Sequence, residues 1–151
     1  MTLKITLVLL FFLLPVFAQE STNKIKGTIY IYKTWHAGTL WRAAFAVYLD
    51  DKMIARLDRG IYLVAEVAPG KHSFSTKNKK SGGVELDIKA GEVYVLRLST
   101  DSGAQVTHPS LSLPAPEQYK FDLKQMKPIE KGDIKKDGES IVLYPVPGIR
   151  N

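Results

Sequence analysis

Ala43-Ala44-Phe45-Ala46-Val47-Tyr48-Leu49, Asp50-Asp51-Lys52, Met53-Ile54-Ala55-Arg56-Leu57, Asp58-Arg59-Gly60, Ile61-Tyr62-Leu63-Val64-Ala65-Glu66-Val67: this stretch decides the fold. Three short apolar runs, rich in β-branched and aromatic residues, are separated by three-residue polar turns. Runs of this length and composition are strands, because successive side chains on a pleated strand point to opposite faces. Asp50-Asp51 closes a hairpin at a position where glycine would ease a positive φ, and Asp tolerates that region better than most residues. Ala68-Pro69-Gly70-Lys71 then turns the chain again. Proline presets φ at the second position and glycine accepts φ > 0 at the third, which describes a type II turn.

Outward from this stretch the same pattern continues. Ile25, Gly27, Ile29 and Ile31 alternate with Lys26, Thr28, Tyr30 and Tyr32 in a first strand. His72 to Lys77 forms a fifth, Gly83 to Lys89 a sixth and Glu92 to Ser99 a seventh, with turns at Asn78–Gly82 and Ala90-Gly91. Seven short strands with regular turn signals predict an all-β fold, a single antiparallel β-sandwich of immunoglobulin-like or prealbumin-like type over residues 25–99. No window carries helical spacing with capping residues.

Residues 100–151 differ. Asp101 to Pro116 is rich in Ser, Pro and Gly and reads as a long loop. Tyr119, Phe121 and Leu123 alternate with charged residues, and Ile141 to Tyr144 is apolar, so the extension is loop-rich with one or two further strands, or drapes over the sandwich without regular structure.

The amino end has another character. Lys4 precedes an apolar run from Ile5 to Phe17, Pro15 sits near its end, and Val16-Phe17-Ala18 closes it with small residues at the positions signal peptidase requires. Residues 1–18 therefore read as a signal-peptide helix cut between Ala18 and Gln19, and 19–24 as a flexible mature terminus. The run is short for a ~30 Å hydrocarbon core, which needs about 20 apolar residues, so the membrane becomes a partner only if the segment is kept as an anchor. The expected address is secreted or periplasmic.

The 151-residue chain contains no cysteine. That excludes disulfides, thiolate nucleophiles, Cys-based zinc sites and a lipidated cysteine after the leader. The roughly 133 residues left after the cut suit one domain with a single core. The formal charge of +6 falls to +5 without Lys4, and its basic and acidic residues are interspersed. For an exported chain this means solubility and attraction to anionic envelope surfaces rather than nucleic acid.

Val47 to Leu57, Val67-Ala68-Pro69-Gly70-Lys71-His72, and Ala90, Gly91, Tyr94 and Arg97 together resemble the bacterial family called domain of unknown function 2846, over about residues 26–99. Asp51 and Ala55 stand where the family's hairpin has glycines. The resemblance implies a β-sandwich domain in an exported protein and brings no activity and no catalytic residues.

Candidate chemistry is sparse. His36, His72 and His108 lie 36 residues apart each time and define no metal site, and His72 reads as the local end of the Pro-Gly turn. Asp50 and Asp51 are adjacent in a tight turn and point apart, which disqualifies them as an acid–base pair. Lys77, Lys79 and Lys80 form a solvated basic loop. No Gly-x-Ser-x-Gly elbow or phosphate loop occurs. No catalytic residue, metal or cofactor is assigned.

The richest stretch is Trp35, His36, Trp41 and Arg42, between the first two strands. Aromatic faces stack on sugars and apolar ligands, and arginine adds a charged donor. Against this, Trp41 could merely cover the core edge. The expected function is a non-catalytic envelope module that binds a protein or polysaccharide partner or acts structurally. The alternative is a small hydrolase or carbohydrate-binding accessory built on the Trp35–Arg42 loop.

Overall fold

The computed structural model describes residues 25–35, 44–76, 83–102, 107–145 and 147. Two antiparallel-rich sheets pack face to face in an all-β sandwich. Strands β1 (Gly27–Lys33), β4 (Ile61–Val67), β7 (Val93–Ser102), β8 (Thr107–Ser112) and the two-residue β9 (Lys127–Pro128) form a sheet in the order β8-β7-β1-β4-β9. Strands β2 (Phe45–Leu49), β3 (Lys52–Leu57), β5 (Gly70–Ser75) and β6 (Val84–Ile88) form the second, in the order β3-β2-β5-β6. All seven strands expected between residues 25 and 99 are present.

β1 runs antiparallel to β4 and parallel to β7. Parallel neighbours cannot be joined by a tight turn. Here the connection between β1 and β7 passes through both hairpins of the second sheet, so the long crossover is the rest of the sandwich.

Alternation sets the core, except in β3, where a register shift against Val47 and Tyr48 lets Ile54, Ala55 and Leu57 all reach it. Ile29, Ile31, Leu63, Ala65, Leu96 and Leu98 point inward and meet Val47, Leu49, Ile54, Leu57 and Phe74 of the facing sheet, all fully or almost fully buried. Asp50 and Asp51 have the expected positive φ, 48° and 67°; Gly70 is positive too, but its φ of 135° lies well beyond the +80° of a type II turn, so the turn expected at Ala68–Lys71 is not of that type. The corner from β6 to β7 is pinned by Tyr94, whose hydroxyl accepts from Lys89 N at 3.1 Å and has Glu92 Oε2 at 2.8 Å and Asp87 O at 3.1 Å as acceptors for its one proton.

The extension beyond residue 99 differs from its expected form in three ways. Thr107–Ser112 is strand β8 rather than loop. Pro109 is tolerated because β8 is an edge strand, where a missing N–H breaks no inner ladder, and Pro109 O accepts from the Thr76 hydroxyl at 2.8 Å.

The segment containing Tyr119, Phe121 and Leu123 is helical, α1 (Pro116–Lys124), not a strand. Proline stands in its first turn, where the lost N–H costs nothing, with Glu117 near the start and Lys124 near the end, as the helix dipole favours. Tyr119 and Leu123, four residues apart, face the sheet, while Phe121 turns to solvent. α1 covers the outer face of the five-stranded sheet, where Tyr32, Tyr62, Val64 and Val95 make a second apolar cluster with Leu123.

Residues 127–143 seal the sandwich. Lys127 N and Ile129 N donate to Gly60 O and Tyr62 O, and Leu143 N to Val64 O, while Ile141 O accepts from Glu66 N, each at 2.8 Å along the β4 edge. Lys135 N donates to Ile54 O at 2.9 Å on β3. Ile141 to Tyr144 contributes only an isolated bridge, Val142 with Ala65. Ile129, Ile134 and Val142 join the main core. Strand edges with unpaired amides invite association, and this drape occupies the edges of β3 and β4.

Candidate functional site

β1 ends at the rim of the sandwich, and the residues that follow define its most elaborate surface. Lys33 is the last strand residue and is buried at 6 % exposure. Its ammonium lies 4.4 Å from the centre of the Phe45 ring, a cation–π arrangement. Burial pushes its pKa below the usual lysine value. The carboxylate of Asp58 opposes that shift and the neighbouring charge of Arg59 adds to it.

Two residues on, Trp35 is 70 % exposed. Its ring is nevertheless seated. Gly60 lies beneath it with φ of 68°, and a Cβ at Gly60 would land on the indole nitrogen. Gly60 N donates to Lys33 O at 2.8 Å, which locks the turn to β1. The Arg59 guanidinium stands 5.4 Å from the Trp35 ring centre. Asp58-Arg59-Gly60 therefore needs glycine twice over, for its backbone sign and for the indole above it. The outcome is an exposed aromatic plate held by a backbone turn and flanked by the Arg59 guanidinium.

Of the four residues singled out in sequence, Trp35 is the one whose position is described. His36, Trp41 and Arg42 lie outside the described residues. Arg59, Lys33 and Phe45 were not anticipated at this site. The signal available for Arg59 and Gly60 was their turn between two strands, which says nothing of what lies across it.

His72 has a different role. Its Nδ1 is 2.7 Å from Asp50 Oδ2 and its Nε2 2.9 Å from Ala68 O. Asp50 Oδ1 accepts from Ser73 N at 2.9 Å. Both ring nitrogens thus face acceptors, and a neutral imidazole carries a single N–H with which to answer them. The arrangement ties the Pro-Gly turn to the β2–β3 hairpin and leaves no ring nitrogen directed at a substrate. An open groove of about 480 Å³ beside it is lined by Asp50, Lys71, Glu85 and Asp87 among others. Among the described residues, no three His, Asp or Glu side chains are grouped to hold a metal ion.

On the outer face of the five-stranded sheet, the Tyr32 hydroxyl donates to Asp122 Oδ2 of α1 at 3.1 Å. Burial and then this carboxylate push the Tyr32 phenol far above its ordinary range, with the charge of Arg97 opposing. Burial also raises the pKa of Tyr62.

A family model described as a protein of unknown function, DUF2846, matches residues 23–110. The chain belongs to the DUF2846 family. The match takes in β1 to β7 and the start of β8, so α1 and the sealing drape lie beyond it. No curated protein and no solved structure matches the chain. The DUF2846 match spans most of the sandwich and names no activity.

Proposed function

We propose that this DUF2846 domain is an exported, non-catalytic binding module of the cell envelope, and that Trp35 is the centre of its contact with a polysaccharide or protein partner. The observation behind the reading is the Trp35 ring, 70 % exposed yet seated on Gly60 beside Arg59. A large apolar ring held in solvent forgoes burial worth about 1.5–3 kcal/mol or more. A pre-seated ring loses little freedom on binding, which is why aromatic anchors dominate contact energies. The Arg59 guanidinium beside the ring suits the acidic groups of envelope polymers and proteins. Export rests on the apolar run from Ile5 to Phe17 and the small residues before Gln19.

The test is co-sedimentation of the mature protein, beginning at Gln19, with insoluble cell-wall polysaccharide and with an envelope membrane-protein fraction. Binding to one of them is expected, weakened by at least about 2 kcal/mol in Trp35→Ala. Equal binding by the variant refutes the site. Amino-terminal sequencing of exported protein checks the address, with Gln19 as the expected first residue.

A further inference from the structure

The drape that seals the sandwich leaves a small open cavity of its own. Ile134 bridges to Ala55 on β3 and Val142 to Ala65 on β4. The two residues mark the place where the drape passes from the edge of one sheet to the edge of the other. A cavity of about 280 Å³ opens to solvent there, lined by Lys131, Ile134, Glu139, Val142 and Tyr144. Ile134 and Val142 belong to the main core and form its floor. Lys131, Glu139 and Tyr144 are exposed and form its walls.

The walls are held in place by backbone bonds. Ile134 N donates to Lys131 O at 3.1 Å, which closes the turn carrying Lys131. Gly138 lies against the Ile54 carbonyl of β3 with no room for a side chain, and Glu139 follows it directly. Val142 N donates to Gly138 O and Leu143 N to Val64 O, both at 2.8 Å, and these bonds fix the segment that leads into Tyr144. The site is thus formed before a ligand arrives, which limits the ordering cost of binding. Lys131 and Glu139 form no ion pair with each other among the described residues, so both charges face the open space.

We propose that this cavity binds a small apolar α-amino acid in its zwitterionic form. The ligand carboxylate meets the Lys131 ammonium, the ligand ammonium meets the Glu139 carboxylate, and the aliphatic side chain lies over Ile134 and Val142 beside the Tyr144 ring. Hydrogen bonds between ionised groups are the strong ones, and the apolar floor favours the part of the ligand that carries no charge. Size decides against a polymer. Drug-sized ligands occupy pockets of about 300–1,000 Å³, and this one suits a single residue. A ligand of one charge would leave one wall unmatched. All five lining residues lie beyond residue 110, where the family match ends, so the site belongs to this chain's extension. It is separate from Trp35 and does not depend on the role of that ring.

The test is a titration of ¹⁵N-labelled mature protein, in mildly acidic buffer, with leucine, N-acetyl-leucine and leucinamide. These carry both charges, the carboxylate alone and the ammonium alone. Leucine is expected to shift the amide signals of Lys131, Ile134, Glu139, Val142 and Tyr144 saturably. Each derivative is expected to bind at least about tenfold more weakly. Lys131→Gln removes the advantage of leucine over leucinamide, and Glu139→Gln its advantage over N-acetyl-leucine. Both residues are exposed, so neither variant threatens the fold. Absence of a saturable shift with leucine, a derivative that binds as tightly as leucine, or unchanged leucine affinity in both variants overturns the proposal.

Discussion

Tyr32 of β1 and Asp122 of α1 are joined by a 3.1 Å hydrogen bond across ninety positions of sequence. The bond holds α1 over the outer face of the sheet, and the phenol it uses is itself buried. Hydrogen bonds to charged groups contribute about 1.5–3 kcal/mol, so Tyr32→Phe is expected to lower unfolding free energy by about that amount in urea titration, without changing the denaturant slope.

The same bond gives an alkaline signature. The Tyr32 and Tyr62 phenols have folded pKa values above the ordinary 10.0. Below that value both states keep the proton and the stabilisation is complete. Above it the unfolded chain ionises first, and stability falls as pH rises towards the folded values. Ultraviolet titration should show these phenols ionising after the ordinary tyrosines, with Asp122→Asn bringing Tyr32 down.

Lys33 works in the opposite sense. Its folded pKa lies below 10.5, so between the folded value and 10.5 the unfolded state binds more protons and stability rises with pH. Lys33→Met is expected to remove that rise. Comparing melting temperatures of the two proteins across this alkaline window measures the effect.

The drape after α1 is a structural seal. Ile129 is buried at 2 % exposure in the main core and its amide bonds to β4. Ile129→Ala is expected to cost about 2–5 kcal/mol. Truncation after Met126 would uncover the β4 edge and remove the bond to β3, and should convert soluble protein into aggregate, seen by size-exclusion chromatography. A soluble, monomeric truncation would show that the edges need no cover.

Residue by residue, the strands were legible where one face met the core. Ile29, Ile31, Leu63 and Ala65 alternate with outward residues, and that pattern survives any packing partner. The helix was not legible because Tyr119, Phe121 and Leu123 also alternate, and period two outweighed the shorter 119–123 pair that actually faces the sheet. β8 was hidden by Pro109, which signals a loop anywhere except on an edge. The Trp35 plate was half legible. The indole stood out, but its support, Gly60 and Arg59, arrives from another strand connection.

Trp35 is where the account is most exposed to test. Iodide quenching of the Trp41→Phe mature protein reports on that one indole, free and in the presence of cell-wall polysaccharide or the envelope protein fraction. The account predicts ready quenching in the free protein, in keeping with 70 % exposure, and strong protection when the partner is bound. An indole equally open to iodide with and without both partners would contradict it.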